Sequence, residues 1–511
     1  MSMKRQSKVI TRAVAFILML LLLHLPDANG SEEKPAMSPD QKKPLEHSSL
    51  DHEQNTGTFA MRWQRSLPVD QRDTGIGVIG GTEVRSLVGM NGKLYAGIGY
   101  WSDSQQNDPR LPGGQVLVLD SPGSLWRVDL GLDERIRSGP AAGKRRYFAI
   151  AMLYGATFKS DLHGRTLAQP AHVLMAGTWD RLGQLQVFSK TADSGSWSAS
   201  DLSSVGASRH AEIRSFVVYR DKTTNIEYVF AGARVNKDPA PTRIYRGGFE
   251  PAEGKIRWNQ TPESWGMDTP DLAMTTKNSS RITGFAECDG KLYVSVYNMI
   301  FQRQDGPNPS WKLVFKYVPK RPFENGSSGF RGLTAVANRS GTNQVLLVSL
   351  EHKPCTIFRI DPRTLKAVAE INVSTFLQEQ WGAPAGYVIA GYNDMLHYED
   401  PITSDSLTMI GFEAATPTLA GNFHQFNPSA HYLIRKSENQ YSVGEIADHL
   451  LDYQPVLLST RSIINSPFRE DPPGTVYAGG FDCNSVPVHN TAWIYRGVRI
   501  APAKPLATGG N

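Results

Sequence analysis

The sequence predicts an all-β protein made of seven copies of one four-stranded antiparallel unit, and three observations lead there. The first is composition. Over 511 residues, 46 glycines, 32 prolines, 9% aromatics and only 20% charged residues describe an ordered, turn-rich, β-leaning chain. The second is local period: short alternating or apolar runs are separated by Gly, Pro, Asn and Asp clusters, as half-buried strands require, and no long stretch keeps a helical repeat. The strongest helical segment is the short "GEIADHLLDY" at 444–453. The third is that the runs recur in one order at a steady spacing.

The first copy reads "VRSLVGM", "KLYAGIGY", "GQVLVLD", "LWRVDL". The same order returns as "IRSFVVY", "EYVFAGAR", "TRIYRGG", "IRWNQT", then as "RITGFAE", "KLYVSVYN", "FQRQ", "WKLVFKY", and more loosely as "FRGLTAV", "QVLLVSLE", "CTIFRID", "LKAVAEI". Two copies are decayed or interrupted. One runs "IRSGPAA…RYFAIAML", "HVLMAGTW", "GQLQVFS", "SWSASDL", with an insertion around 155–171; the other runs "YVIAGYN", "LTMIGFEA", "HYLIRKS", "YSVGEI". The last, "TRSIINS", "TVYAGGFD", "AWIYRG", stops after three strands. From Arg85 to Arg461, each at the start of a first strand, is 376 residues over six intervals, about 63 per unit. The two IYRG segments, at 244 and 494, are 250 apart, about four such units. A four-stranded repeat at this period predicts a seven-bladed β-propeller. The missing fourth strand is "FAMRWQRSL", residues 59–67, whose Trp63 stands where Trp126, Trp197, Trp258 and Trp311 stand in other units. Pairing of 59–67 with the C-terminal strand 492–497 would close the ring in one shared blade and remove an open sheet edge.

The expected organisation is a signal peptide over 1–30, a disordered linker over 31–56, the propeller over 57–500 and a flexible tail over 501–511. Residues 1–30 carry Lys4, Arg5, Lys8 and Arg12, an apolar run from Ala13 to Leu25 and the small-residue site Ala28-Asn29-Gly30. The protein is therefore expected to be secreted or periplasmic. Removing the signal lowers the formal charge from +5 to +2, so net charge points to neither nucleic acid nor anionic lipid. No later run is long and apolar enough to span a bilayer, and a soluble monomer is expected. Three cysteines, Cys288, Cys355 and Cys483, are too few for a disulfide scaffold.

The pattern resembles seven-bladed β-propellers generally, of the sialidase-like and kelch-like kind, over roughly residues 58 to 498. The resemblance implies that the starts of the first strands and the turns after the second strands share one face around a central channel. That face nominates Arg85, Arg137, Arg214, Arg281, Arg331 and Arg461, one per unit in six units, with Tyr387 near the equivalent place in the interrupted one. Such guanidinium groups would hold a carboxylate or sulfate, or else pair with Glu83 and Glu212 to lock neighbouring blades. The turns add Trp101, Asp103, Trp179, Asp180, Arg234, Tyr297, Asn298, Glu351, His352, Glu413, Asp482 and Cys483. Trp101, Trp179 and His352 join the arginines as the expected ligand-binding set. Asp180, Glu351, Glu413 and Asp482 are the candidate acid and base of an enzyme. His352 with Cys355, and Cys483 with His489, match no zinc or copper spacing, so no metal or cofactor is expected. "TADSGSW" at 191–197 resembles the aspartate box of the sialidase family in Asp193, Gly195 and Trp197, one residue short. The expected function is binding of a small polar or anionic ligand, a glycan or a protein through this face. The alternative is a hydrolase or lyase acting on an acidic carbohydrate or lactone-like substrate.

Overall fold

A computed structural model of the chain describes residues 59–68, 72–73, 77–101, 111–139, 141–192, 194–204, 211–235, 243–263, 281–318, 329–338, 341–351, 355–382, 384–393, 395–416, 425–426, 430–447, 459–481 and 491–501. All of them belong to the unit spanning 55–511. The expected signal peptide, linker and nearly all of the tail, together with Asp103, Asp193, His352, Asp482, Cys483 and His489, lie outside the described residues.

The recurring runs become antiparallel sheets. In the first, Glu83–Met90, Lys93–Gly99, Gly114–Leu119 and Arg127–Leu132 pair in chain order. The second is Tyr147–Ser160, Thr166–Asp180, Gln184–Thr191 and Ser198–Ser204. The third is Ala211–Arg220, Glu227–Val235, Arg243–Glu250 and Lys255–Trp258. The fourth and fifth start at Ile282–Cys288 and Gly329–Ala337 and end at Ser310–Lys316 and Lys366–Asn372. In the sixth, Val388–Ala390, Ser406–Thr416, Ala430–Ser437 and Gln440–Ile446 form the path, with Leu396–Glu399 and Gln425–Phe426 added beside it. First strands of successive sheets lie against one another, and Ser459–Asn465 touches both Ser406–Thr416 and Glu83–Met90. Four-stranded meanders meeting at their first strands are the β-propeller arrangement.

One sheet is shared by the chain ends. Ser459–Asn465, Val476–Phe481 and Trp493–Ile500 take Ala60–Arg65 as fourth strand, in a register running from Ala60 opposite Ile500 to Arg65 opposite Tyr495. The two IYRG copies pack alike. Gly247 stands opposite Trp258, and Gly497 stands opposite Trp63. A Cβ on Gly497 would come within 2.6 Å of the Trp63 ring, and one on Gly247 within 3.0 Å of the Trp258 ring. Each glycine therefore leaves the space in which the fourth-strand indole lies.

Between every two adjacent sheets lies an apolar layer that both supply. Met90, Tyr95, Val116 and Val118 of the first sheet meet Ile150, Leu153 and Leu174 of the second. Trp63, Ile463 and Tyr495 of the shared sheet meet Met409 and Tyr432 of the sixth, while its Tyr477 and Ile494 meet Val84, Leu94 and Leu117 of the first. Burying one such side chain contributes about 1.5–3 kcal/mol, so a sheet covered on both faces is held twice over.

Two local expectations are corrected. The first strand of the second sheet begins at Tyr147, not at "IRSGPAA", where Gly139 takes φ +86°. The expected insertion at 155–171 lengthens the first two strands of that sheet into one long hairpin, whose register slips between Phe158 and Ser160, opposite the stretch holding Pro170. The segment "GEIADHLLDY" starts as strand, with Gly444 to Ile446 in Gln440–Ile446, and its residues beyond Ala447 lie outside the described ones. Among the described residues a helix instead covers Val373–Trp381. Asn372 caps its start by accepting from Thr375 N at 3.0 Å, and Gly382 at φ 65° ends it. Its Val373 and Leu377, one turn apart, bury against the fifth and sixth sheets.

Candidate functional site

Among the nominated arginines, Arg85, Arg214, Arg281, Arg331 and Arg461 converge where the first strands meet. Arg85, Arg214 and Arg461 each occupy a bulge, the residue that drops out of register between Val84 and Ser86, Ile213 and Ser215, and Thr460 and Ser462. A bulge turns one side chain out of the alternation, which is how charged groups enter a strand end that is otherwise apolar. Arg137 does not join them: it is exposed and precedes its sheet, and Ala151 stands in the corresponding bulge. Arg234, from the second strand of the third sheet, does join.

Four glutamates face these guanidiniums. Glu212 lies 3.4 Å from Arg214, 3.2 Å from Arg234, 3.7 Å from Arg85 and 3.9 Å from Arg281, so one carboxylate ties three sheets together. Glu83 pairs with Arg85 at 3.0 Å and Arg461 at 4.0 Å, Glu413 with Arg461 at 3.4 Å, and Glu351 with Arg331 at 2.5 Å. Burial would raise the Glu212 carboxyl, but Arg214, Arg234, Arg281 and Arg85 hold it well below the usual carboxylate range. Glu351 is likewise lowered against its burial, chiefly by Arg331. Arg281 shows the reverse strain, its guanidinium pushed down by burial and by Arg234 and Arg214.

At the middle stands Tyr392, which the sequence pattern did not single out. The guanidinium carbons of Arg461, Arg331 and Arg214 lie 3.8, 4.6 and 5.1 Å from its ring centre. The sixth sheet's first strand ends at Ala390, and Gly391, at φ +61°, turns the chain inward. A Cβ on Gly332 would come within 2.7 Å of Gly391 O, so two glycines allow the close approach. Asn393 then donates to Arg85 O at 2.6 Å, tying this segment to the first sheet. Burial opposes ionisation of Tyr392, and the charges of Arg461, Arg214 and Arg85 outweigh it, bringing the phenol down to about 7. Tyr387 goes the other way: it donates to Glu351, and burial with that carboxylate raises it well above its ordinary value. Its nomination from sequence is thereby given a partner.

Counting described residues only, six arginines face four glutamates, and the excess is cationic. Nε and Nη2 of Arg214, and Nε of Arg85, are buried without a hydrogen-bond partner among the described residues, as are Oε2 of Glu83, Glu212 and Glu413, which reach the arginines only as ion pairs of 3.4–4.0 Å. Spare buried donors of this kind are uncommon and call for an acceptor.

The remaining nominations lie apart. Asp180 is buried beside Arg146 at 2.8 Å and also accepts from Leu182 N; burial raises its carboxyl despite Arg146. Trp179 bridges two environments, with Arg85 5.4 Å from its ring on one side and Trp101 stacked on it at 5.9 Å on the other. Trp101 is 46% exposed. Tyr297 and Asn298 form a tight turn in which Asn298 donates to Tyr317 O. Cys288 and Cys355 are buried free thiols, and burial pushes them up to about 12 and about 11. Among the described residues no three His, Cys, Asp or Glu side chains gather as a metal site, and no helix is long and apolar enough to cross a membrane.

No family model matches the sequence, and no curated protein matches it. Among solved structures the chain is similar to the WD40 repeats of RRP9, at 8% identity over 86% of this chain and 100% of that one, with TM-score 0.37. It is also similar to the NanB sialidase from Streptococcus pneumoniae, at 9% identity over 85% and 70%, with TM-score 0.37. An arginine-substituted AofleA from Arthrobotrys oligospora is similar at 7% identity over 76% and 96%, with TM-score 0.34. Scores this low carry no residue and no function across to this chain.

Proposed function

We propose that the chain is an exported seven-bladed β-propeller, closed by its shared sheet, whose first-strand centre binds a polar, anionic ligand. The closure reading is supported by the pairing of Ala60–Arg65 with Trp493–Ile500 and by apolar layers on both faces of that sheet. The binding reading is carried by one observation: guanidiniums outnumber carboxylates in the buried centre, and Arg85 and Arg214 hold donors with no acceptor among the described residues. The enzyme alternative is less favoured: Glu351 is kept ionised by Arg331, and Asp180, the candidate whose carboxyl burial raises, is tied to Arg146 and Leu182 N.

The test is thermal unfolding of the secreted protein against a panel of sodium salts at equal ionic strength. An anion at about a hundred times its Kd adds about 2.7 kcal/mol, and the response is expected to vanish when Arg85 and Arg214 are both changed to Gln. A midpoint indifferent to the anion supplied overturns the reading. Export has its own check: the mature protein is expected to begin at Ser31.

A further inference from the structure

The centre is crowded, which limits what it holds. The side chains of Arg85, Arg214, Arg331 and Arg461 are 2%, 3%, 3% and 5% exposed, and those of Arg281 and Arg234 only 12% and 14%. Ion pairs of 3.0–4.0 Å draw these groups around Glu83 and Glu212, and side chains so little exposed favour a small ligand over a sugar ring or a peptide. Every strand end packed on Tyr392 brings a charge. Arg85 and Glu83 come from the first sheet, Arg214 and Glu212 from the third, Arg331 and Glu351 from the fifth, Glu413 from the sixth and Arg461 from the shared sheet. Among the described residues, Tyr392 thus has its ring against several guanidiniums and no carboxylate hydrogen-bonded to it, in contrast to Tyr387 on Glu351.

We propose that this centre is a site for one small monoanion, chloride or a carboxylate of formate size, and that Tyr392 is its proton-coupled stand-in. With the anion absent, the phenol gives its proton to solvent and the phenolate neutralises one guanidinium. When the anion arrives between Arg85 and Arg214, the oxygen takes back one proton from solvent and the charge of the centre is unchanged. The inference rests on the anion-binding reading above and adds the ligand's size and the proton. Because phenolate and anion answer the same excess charge, each disfavours the other, and linkage makes the effect reciprocal. Affinity for the anion is expected to fall about tenfold per pH unit above the Tyr392 midpoint.

The experiment is an ultraviolet tyrosinate titration of the full mature chain in sodium gluconate, repeated in sodium chloride and in sodium formate at equal ionic strength, for the parent and for Tyr392→Phe. The parent in gluconate is expected to ionise one tyrosine near neutral pH, the variant none, and chloride or formate to move the parent's midpoint upward by at least half a pH unit. Whichever salt gives the larger movement identifies the anion. Arg214→Gln, which leaves the phenol in place, is expected to raise the midpoint in gluconate and to blunt the anion's effect. Parent and Tyr392→Phe curves that coincide overturn the proposal. A stabilising response to chloride or formate with an unmoved tyrosine midpoint overturns the coupling while leaving anion binding standing. Absence of any anion effect on either stability or titration overturns both.

Discussion

Two buried arginine clusters in this molecule have opposite make-up. Between the third and fourth sheets, Arg303 faces three acids: Asp221 at 2.7 Å, Asp305 at 2.6 Å and Glu263 at 3.1 Å. The acids are themselves served, Asp221 by Thr223 N, Thr224 N and Gly306 N, Glu263 by the Trp311 indole and Asp305 by Tyr219. Burial would raise Asp221, and the hydrogen bond from Arg303 overrides it, down to about 2. At the first-strand centre the minority charge is acidic, and donors of Arg85 and Arg214 are left over. Both clusters sew sheets together. Of the two, only the second holds charged side-chain atoms that are buried without a hydrogen-bond partner among the described residues, and it is therefore the one proposed to take a ligand.

The comparison makes the minority charge of each cluster the one that matters most. Removing it strands several like charges, which costs about 3–5 kcal/mol. Arg303→Met and Glu212→Gln are each expected to lose about that much in urea unfolding; a loss below about 1 kcal/mol in either would dissolve the distinction. Next in size is a pH effect. Glu212 and Asp221 are both depressed, so their stabilisation is complete above the ordinary carboxylate range and is lost as pH falls through their folded values. Unfolding midpoints of Glu212→Gln should therefore fall less steeply than the parent's between about pH 5 and pH 3. The smallest effects belong to the majority charges: Arg214→Met and Asp305→Asn are expected to change stability by no more than about 1 kcal/mol. The two then part company. Arg214→Met is expected to blunt the anion response of the thermal midpoint, whereas Asp305→Asn leaves it intact.

A second prediction of size concerns the shared sheet. Trp63→Ala opens a cavity beside Gly497 and is expected to cost about 3–5 kcal/mol, matching its counterpart Trp258→Ala only if both indoles carry equal burial. Trp258 is only partly buried while Trp63 is 1% exposed, so the larger loss is expected at the joined chain ends. Equal losses in thermal unfolding would show that the joined ends are no tighter than a continuous sheet.

Strand alternation, the unit of about 63 residues and the pairing of an early strand with the last one are readable in linear order, because a period of two, a fixed order of runs and a Trp recurring in the fourth strand are all visible along the chain. So are most arginines of the centre, since each recurs at the same point of its unit. Arg137 misled because the repeat there has decayed: its strand starts ten residues later. Tyr392 carried no such signal. It follows a strand that ends at Ala390, and its neighbours Arg85, Arg214, Arg331 and Arg461 come from other sheets, with Asn393 and Arg85 lying 308 residues apart along the chain. Local sterics and burial write the sheets; which side chains meet at the middle follows from the angle at which each sheet is set and from bulges that turn single residues inward, and those are settled only when distant strands pack.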